Sequence, residues 1–228
     1  MKNIKRIIAV FLCLSIALLC GCSNETTQNP PVTGVNSGYA FPATIFEGVS
    51  VEECFLYTGE YIEDASFENC ENVVALKVKN SSLNDIQLIR IIIKTDGKEM
   101  MFEISTLLAG ETVTVLEKSK QTMGENEKIV EISYENRVYF EENVSLKEDI
   151  FLVQGNLATI NIKNISDTEI GSDIYVYYKR TDADGNYFGG ITFRAKVEGG
   201  LMPDEIKQLP ASNFDPYNSE VLFVEYAS

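Results

Sequence analysis

Thirty-four carboxylates, five cysteines and no histidine set the chemistry open to this chain. Histidine is the commonest general base and a frequent metal ligand. Without it the Ser–His and Cys–His nucleophile pairs and imidazole metal sites are closed. Carboxylate pairs remain, but no spacing singles one out, and no G-x-S-x-G, Walker or dinucleotide glycine motif is present. The expectation is a non-enzymatic chain with no cofactor and no metal; a carboxylate-dependent hydrolase is the remote alternative. The run Thr181–Asn186 (TDADGN) has the outline of a calcium loop. An EF-hand loop needs Gly at position 6 and Glu at position 12, whereas counting from Asp182 puts Gly185 at 4 and Phe193 at 12. A hairpin turn is expected there instead.

Two cysteines, Cys54 and Cys70, fall in the body of the chain. If strands near 52–57 and 67–79 pair antiparallel about a loop centred near Ile62, these two stand opposite each other. A disulfide is the expectation, in a compartment where disulfides persist; two unbridged thiols are the alternative. Neither position has a cysteine in the second copy of the repeat described below, where Val138 and Gln154 stand.

The other cysteines lie in the N-terminal segment. Lys2, Lys5 and Arg6 precede an apolar run from Ile7 to Cys20. A short positive region before such a run is a secretory signal pattern, and the run is too short for a bilayer-spanning helix, which needs about 17–25 residues. It ends in Leu19-Cys20-Gly21-Cys22. This resembles the lipobox of bacterial lipoproteins, with Leu at −3, a small residue at −1 and the acceptor cysteine. The resemblance implies cleavage after Gly21 and a diacylglycerol thioether on Cys22. Two acyl chains suffice for stable anchoring, so the implied location is the outer, extracytoplasmic face of the cell membrane.

Loss of residues 1–21 would remove three of nineteen basic residues and none of the acidic ones, taking the net charge from −15 to −18. That balance opposes nucleic-acid binding, which draws on Lys and Arg neutralising phosphates. It also leaves membrane attachment to the lipid, with a cell-envelope protein or polysaccharide as the remaining possible partner. The acids are spread along the chain, as on a solvated surface.

Residues 22–49 begin with the lipidated cysteine and a Ser, Thr, Asn, Gly and Pro-rich stretch that has little to bury, a flexible tether. The remainder repeats itself. Asn72–Asn80 (NVVALKVKN) matches Asn156–Asn164 (NLATINIKN), and Ile89–Lys94 matches Ile174–Lys179. Asp96-Gly97 matches Asp184-Gly185, Leu108–Glu111 matches Met202–Glu205, and each copy closes on an alternating run, Val130–Tyr134 and Leu222–Tyr226. Short β-branched and aromatic runs broken by Asn, Ser and Asp-Gly turns predict an all-β fold, two tandem β-sandwich domains at 50–135 and 136–228. The three N-x-S sequons, at Asn80, Asn143 and Asn164, read as strand-end chemistry.

The motifs within each copy resemble those of small immunoglobulin-like domains of Gram-positive surface lipoproteins, including the FxLYD type. In that type a V-x-V-x-N-x-S strand end precedes an aromatic strand, a D-x-D-G turn and an L-x-P-G-E-like turn; Ile174–Gly190 and Met202–Glu205 match best. The resemblance implies an extracellular binding or spacer module. A soluble-ligand accessory, binding carbohydrate or peptide, is the alternative.

Alternation places Ile89, Ile91 and Ile93, and likewise Ile174, Val176 and Tyr178, on inward faces. Tyr175, Tyr177 and Lys179 then point outward, with Tyr187 nearby on the partner strand. These four are the expected ligand-binding residues, since tyrosine suits half-wet partners. Cross-strand pairing of the rings is the alternative use.

Overall fold

The computed structural model describes residues 38–227 together with Thr33 and Gly34. Cys22 and the residues around it lie outside the described residues. The chain is all-β, with no helix among the described residues. A first set of strands comprises β1 (Thr33–Gly34), β2 (Ala43–Phe46), β3 (Val49–Tyr61), β4 (Glu68–Asn80), β5 (Ile86–Thr95), β6 (Glu99–Leu107), β7 (Thr112–Leu116) and β8 (Ile129–Tyr139). A second comprises β9 (Phe151–Asn156), β10 (Thr159–Asn164), β11 (Ile174–Thr181), β12 (Tyr187–Val197), β13 (Ile206–Pro210) and β14 (Ser219–Tyr226).

Six strands of each set follow one plan. β3-β4-β7 and β6-β5-β8 in the first set answer to β9-β10-β13 and β12-β11-β14 in the second. The likeness extends to single atoms. Asn80 and Asn164 are both fully buried. Each accepts from the backbone N–H and hydroxyl of the serine two residues on, Ser82 or Ser166. Each amide donates to a carbonyl four residues on, Asn84 at 3.0 Å or Thr168 at 2.8 Å. Asn80 also reaches the Leu107 and Leu108 carbonyls, and Asn164 that of Leu201. Their backbones are held by the matched turns, Glu111 accepting from Asn80 N–H and Glu205 from Asn164 N–H. The sequon asparagines at 80 and 164 are strand-end locks.

The two sets share a sheet. β7 pairs parallel with β12 through Val113↔Tyr187 and Thr114↔Phe188. This joins β1-β3-β4-β7 to β12-β11-β14, with β2 beside β3, into eight strands. The β6-β5-β8 sheet packs on one face, where Val74, Leu76, Val78, Val113 and Val115 meet Ile89, Ile91, Ile93 and Phe102. The β13-β10-β9 sheet belongs to a second core with Ile174, Val176, Tyr178 and Val224. That second core also takes Phe55, Tyr57, Val73, Ala75 and Leu116 from β3, β4 and β7. Consequently β4 is covered on both faces, and Val73, Val74, Ala75 and Leu76 are all buried in succession. A strand buried on both faces reads as a continuous apolar run. Its counterpart β10 alternates buried with half-buried residues.

The connection between the sets is pinned. Asp85 is buried and its carboxylate accepts from Ala109 N–H at 2.7 Å and Val144 N–H at 2.8 Å. Asn143 accepts from Asp85 N–H and donates to the Leu83 carbonyl.

The structure corrects the pairing of Cys54 and Cys70. Both are free, buried thiols. The β3–β4 hairpin turns between Asp64 and Ala65, with Tyr61 opposite Glu68, so its centre lies beyond Ile62. Cys54 therefore faces Leu76 and Cys70 faces Gly59. The register break at Tyr57/Gly59, between them, puts the thiols in different cores, Cys54 with Val74 and Leu76, Cys70 with Phe55 and Tyr57.

Candidate functional site

The shared sheet carries a groove of about 450 Å³ where the two sets of strands meet. Its floor follows from the pairing. One row crosses four strands as Glu53, Lys77, Thr114 and Phe188, and Phe55 lies in the next row. Tyr57 lies beside them with its ring 5.4 Å from that of Phe188. The β11–β12 hairpin lines the groove through Thr181, Asp182, Ala183 and Asp184. Asp182 Oδ1 accepts from Asp184 N–H and Asn186 N–H, each at 2.9 Å, so its carboxylate is spent on shaping the turn. Asp184 and Glu53 are exposed. Lys77 is half-buried and makes no ion pair among the described residues. Burial pushes the Tyr57 phenol up to about 12, with lesser contributions from the charges of Cys70 and Glu60. It is a neutral ring at any physiological pH.

Phe188 is placed by the four residues that follow it. Gly189, Gly190, Ile191 and Thr192 drop out of register with β11, whose pairing jumps from Tyr178↔Phe193 to Arg180↔Phe188. A β-bulge leaves backbone groups unpaired, and two charged side chains satisfy them. Glu63, from the β3–β4 turn, accepts from Gly190 N–H at 2.9 and 3.0 Å and from Leu116 N–H at 2.8 Å. Lys179 Nζ donates to the carbonyls of Gly189, Gly190 and Ile191 at 3.0, 2.9 and 2.9 Å. The Glu63 carboxylate thus bridges β7 and β12 just past their last paired residues. Gly190 has no space for a side chain, since a Cβ there would overlap the Glu103 carbonyl oxygen. Ser105 and Thr192 tie β6 to the same stretch through Gly190 O and Ser105 O.

Burial decides the electrostatics of this pair. Desolvation pulls the Lys179 ammonium down to about 7, opposed by the charge of Glu63. Desolvation also raises the Glu63 carboxyl, opposed first by the Leu116 and Gly190 N–H bonds and then by Lys179.

The structure separates the four expected ligand residues. Tyr175 is half-exposed, with the guanidinium of Arg194 over its ring at 4.8 Å. Tyr177 is half-buried and stacks on Phe223 at 4.3 Å, and Phe223 in turn meets Phe140 edge-on. That outward face of β11 is covered because the shared sheet carries it over the first core. Tyr187 is buried in that core for the same reason. Lys179 is fully buried, not outward. Register breaks at Tyr177/Tyr178 and Tyr178/Arg180 end the alternation, so Tyr178 and Lys179 are buried in succession. Burial removes Lys179 and Tyr187 from direct ligand contact, and the expectation for Tyr175 and Tyr177 stands apart from the groove.

Phe55, Tyr57, Lys77 and Phe188, which do form the groove, were not anticipated from the sequence. One signal was available. Val73 and Ala75 stand where the second copy has Leu157 and Thr159, an apolar outer face in a strand whose repeat has a half-polar one. Set against known proteins, the chain matches no family model and no curated protein.

Proposed function

We propose that this chain is a non-enzymatic binding module, lipid-anchored through Cys22 on the outer face of the cell membrane. The groove at the seam of the two strand sets carries the binding part of this reading. Its aromatic floor, mixed charges and volume fall within the range of about 300–1,000 Å³ common to small-ligand sites. That size favours capture of a soluble ligand over the grip on a polymer or protein that a broad flat face would serve. The resemblance to FxLYD-type immunoglobulin-like domains is consistent with an envelope module, and the pinned connection with one rigid body. The carboxylate-hydrolase alternative finds little support, because Asp182 is committed to its turn and Asp184 and Glu53 are exposed. The anchoring part rests on Leu19, Gly21 and Cys22. Cell fractionation tests it: the wild type is expected in the membrane fraction, accessible to added protease on cells stripped of their wall. Cys22→Ser protein is expected in the soluble fraction or as unprocessed precursor. Cys22→Ser protein that is still processed and membrane-bound would overturn the anchor.

A further inference from the structure

The charges of the groove alternate across its floor. Glu53 stands on one rim, Lys77 in the middle, and Asp182 and Asp184 on the hairpin at the opposite side. Between and beneath them lie Phe55, Tyr57 and Phe188. We propose that this groove binds an apolar zwitterion, an amino acid or short peptide whose carboxylate meets Lys77, whose ammonium meets the acidic rim, and whose apolar side chain lies on the three rings. The proposal rests on reading the chain as a ligand-binding module and names the ligand class of that site.

Charge complementarity selects this occupant over its neighbours. Lys77 is a half-buried cation with no ion pair among the described residues, in a chain of net charge −15, so it offers an anion contact inside the groove. A plain anion would reach it only past three carboxylates in the groove and against the field of the whole molecule. A plain cation would be drawn to the rim but repelled at the floor. A ligand bearing both charges satisfies the floor and the rim together and approaches without net repulsion. The floor then asks for an apolar group. The Tyr57 and Phe188 rings, 5.4 Å apart and tilted at 48°, present ring faces and edges suited to a hydrocarbon or aromatic side chain.

Isothermal titration of the full lipidated chain in detergent, with leucyl-phenylalanine and with free phenylalanine, tests this. At least one is expected to bind saturably, and the tighter of the two assigns the source as peptide or free amino acid. N-acetylation, which removes the cation, and C-amidation, which removes the anion, are each expected to weaken binding by about tenfold or more. Phenylpropionate, carrying the ring and the anion alone, is expected to bind as weakly as the acetylated ligand. Lys77→Met is expected to reproduce the loss seen on amidation. Asp184→Asn, at an exposed turn position that leaves the fold intact, is expected to weaken the zwitterion and leave the acetylated ligand unchanged. Absence of saturable binding by either zwitterion at millimolar concentration overturns the proposal. So does binding indifferent to acetylation, amidation or Lys77→Met. Either failure, with Cys22 anchoring intact in cell fractionation, leaves an anchored lipoprotein whose groove takes another ligand; failure of anchoring alone leaves the titration untouched.

Discussion

Glu63 and Lys179 divide a single residue between them: the N–H of Gly190 donates to Glu63 and its carbonyl accepts from Lys179. This happens where β7 and β12 cease to pair. The seam between the two strand sets is only two backbone pairs long, so continuity of the eight-stranded sheet passes through side chains from there on. The two side chains make no direct salt bridge; they meet through the backbone of the bulge, and burying both charges is not by itself a net source of stability. What the two provide is position. They fix the bulge at Gly189–Thr192, and the bulge fixes Phe188 over the groove.

Replacement of Lys179 by methionine should therefore be severe. It strips the ammonium's donors from the Gly189, Gly190 and Ile191 carbonyls, of which Gly190 alone keeps a side-chain donor, Ser105. Each buried polar group left unmade costs about 1–3 kcal/mol. Urea unfolding checks it, and a loss under about 1 kcal/mol would mean that the bulge does not depend on these bonds. The double variant Glu63→Gln, Lys179→Met should recover part of the loss, since no uncompensated charge remains.

The same lysine gives the fold a pH dependence of definite sign. Its folded value, about 7, lies below the ordinary lysine value of about 10.4. Above about 7 the unfolded chain holds that proton more readily than the folded one, so stability rises with pH from there toward the ordinary value. Below about 7 both states are protonated and the contribution is constant and unfavourable. The difference in unfolding free energy between the Glu63→Gln variant and the double variant removes the opposing titration of the raised Glu63 carboxyl and leaves that of Lys179. It should grow in favour of the Glu63→Gln variant between about pH 7 and 9. A difference that stays flat across that window would show that Lys179 keeps an ordinary value when folded.

The paired asparagines test how far the two strand sets act as one. Asn80→Ala removes a donor from the carbonyls of Asn84, Leu107 and Leu108, and Asn164→Ala from those of Thr168 and Leu201, and each also removes the acceptor of the following serine's N–H and hydroxyl. Each should cost about 1–3 kcal/mol, the penalty of leaving buried polar groups under-bonded. With one sheet running through both sets, either substitution should shift a single cooperative transition seen alike by fluorescence and circular dichroism. Two separated transitions, with each variant moving only its own, would show that the sets unfold independently despite the common sheet.

Much of this architecture is legible in the sequence because it rests on local chemistry. The Asn-x-Ser strand ends, the Asp-Gly turns and the inward-facing Ile89, Ile91 and Ile93 each follow from residues within a few positions of one another. The shared sheet is not local, and what depends on it was hidden. A period-two reading cannot see that Tyr187 and Tyr177 are carried over the first core by two β7–β12 pairs. Nor can it see bulges. Lys179 reads as outward by alternation and is buried because β11 loses register with both neighbours at Tyr177–Arg180. The groove residues Phe55 and Lys77 come from the β3–β4 hairpin, and Phe188 reaches them only through that same seam. The hairpin centre is a similar case, since Ala65 and Phe67 adopt positive φ in the turn and nothing in their side chains demands it.

Cys54 and Cys70 allow a sharp test of that hairpin register. Burial pushes the Cys54 thiol up to about 12, with the Glu53 charge adding to it, and burial likewise raises Cys70. The thiolate is the reactive form, so both should resist iodoacetamide in the folded protein at neutral pH. In denaturant without reductant both become accessible. The register, which sets Cys54 against Leu76 and Cys70 against Gly59 in different cores, predicts that intact mass then rises by two alkyl groups. The same result should hold for protein recovered from an oxidising compartment, because bridging these residues would require β3 to slip several positions along β4. Such a slip would carry Val51 and Cys54 out of the core they share with Val74 and Leu76. A mass that stays unmodified in denaturant and gains two groups only after reduction would show a bridge, and with it a β3–β4 pairing different from the one described.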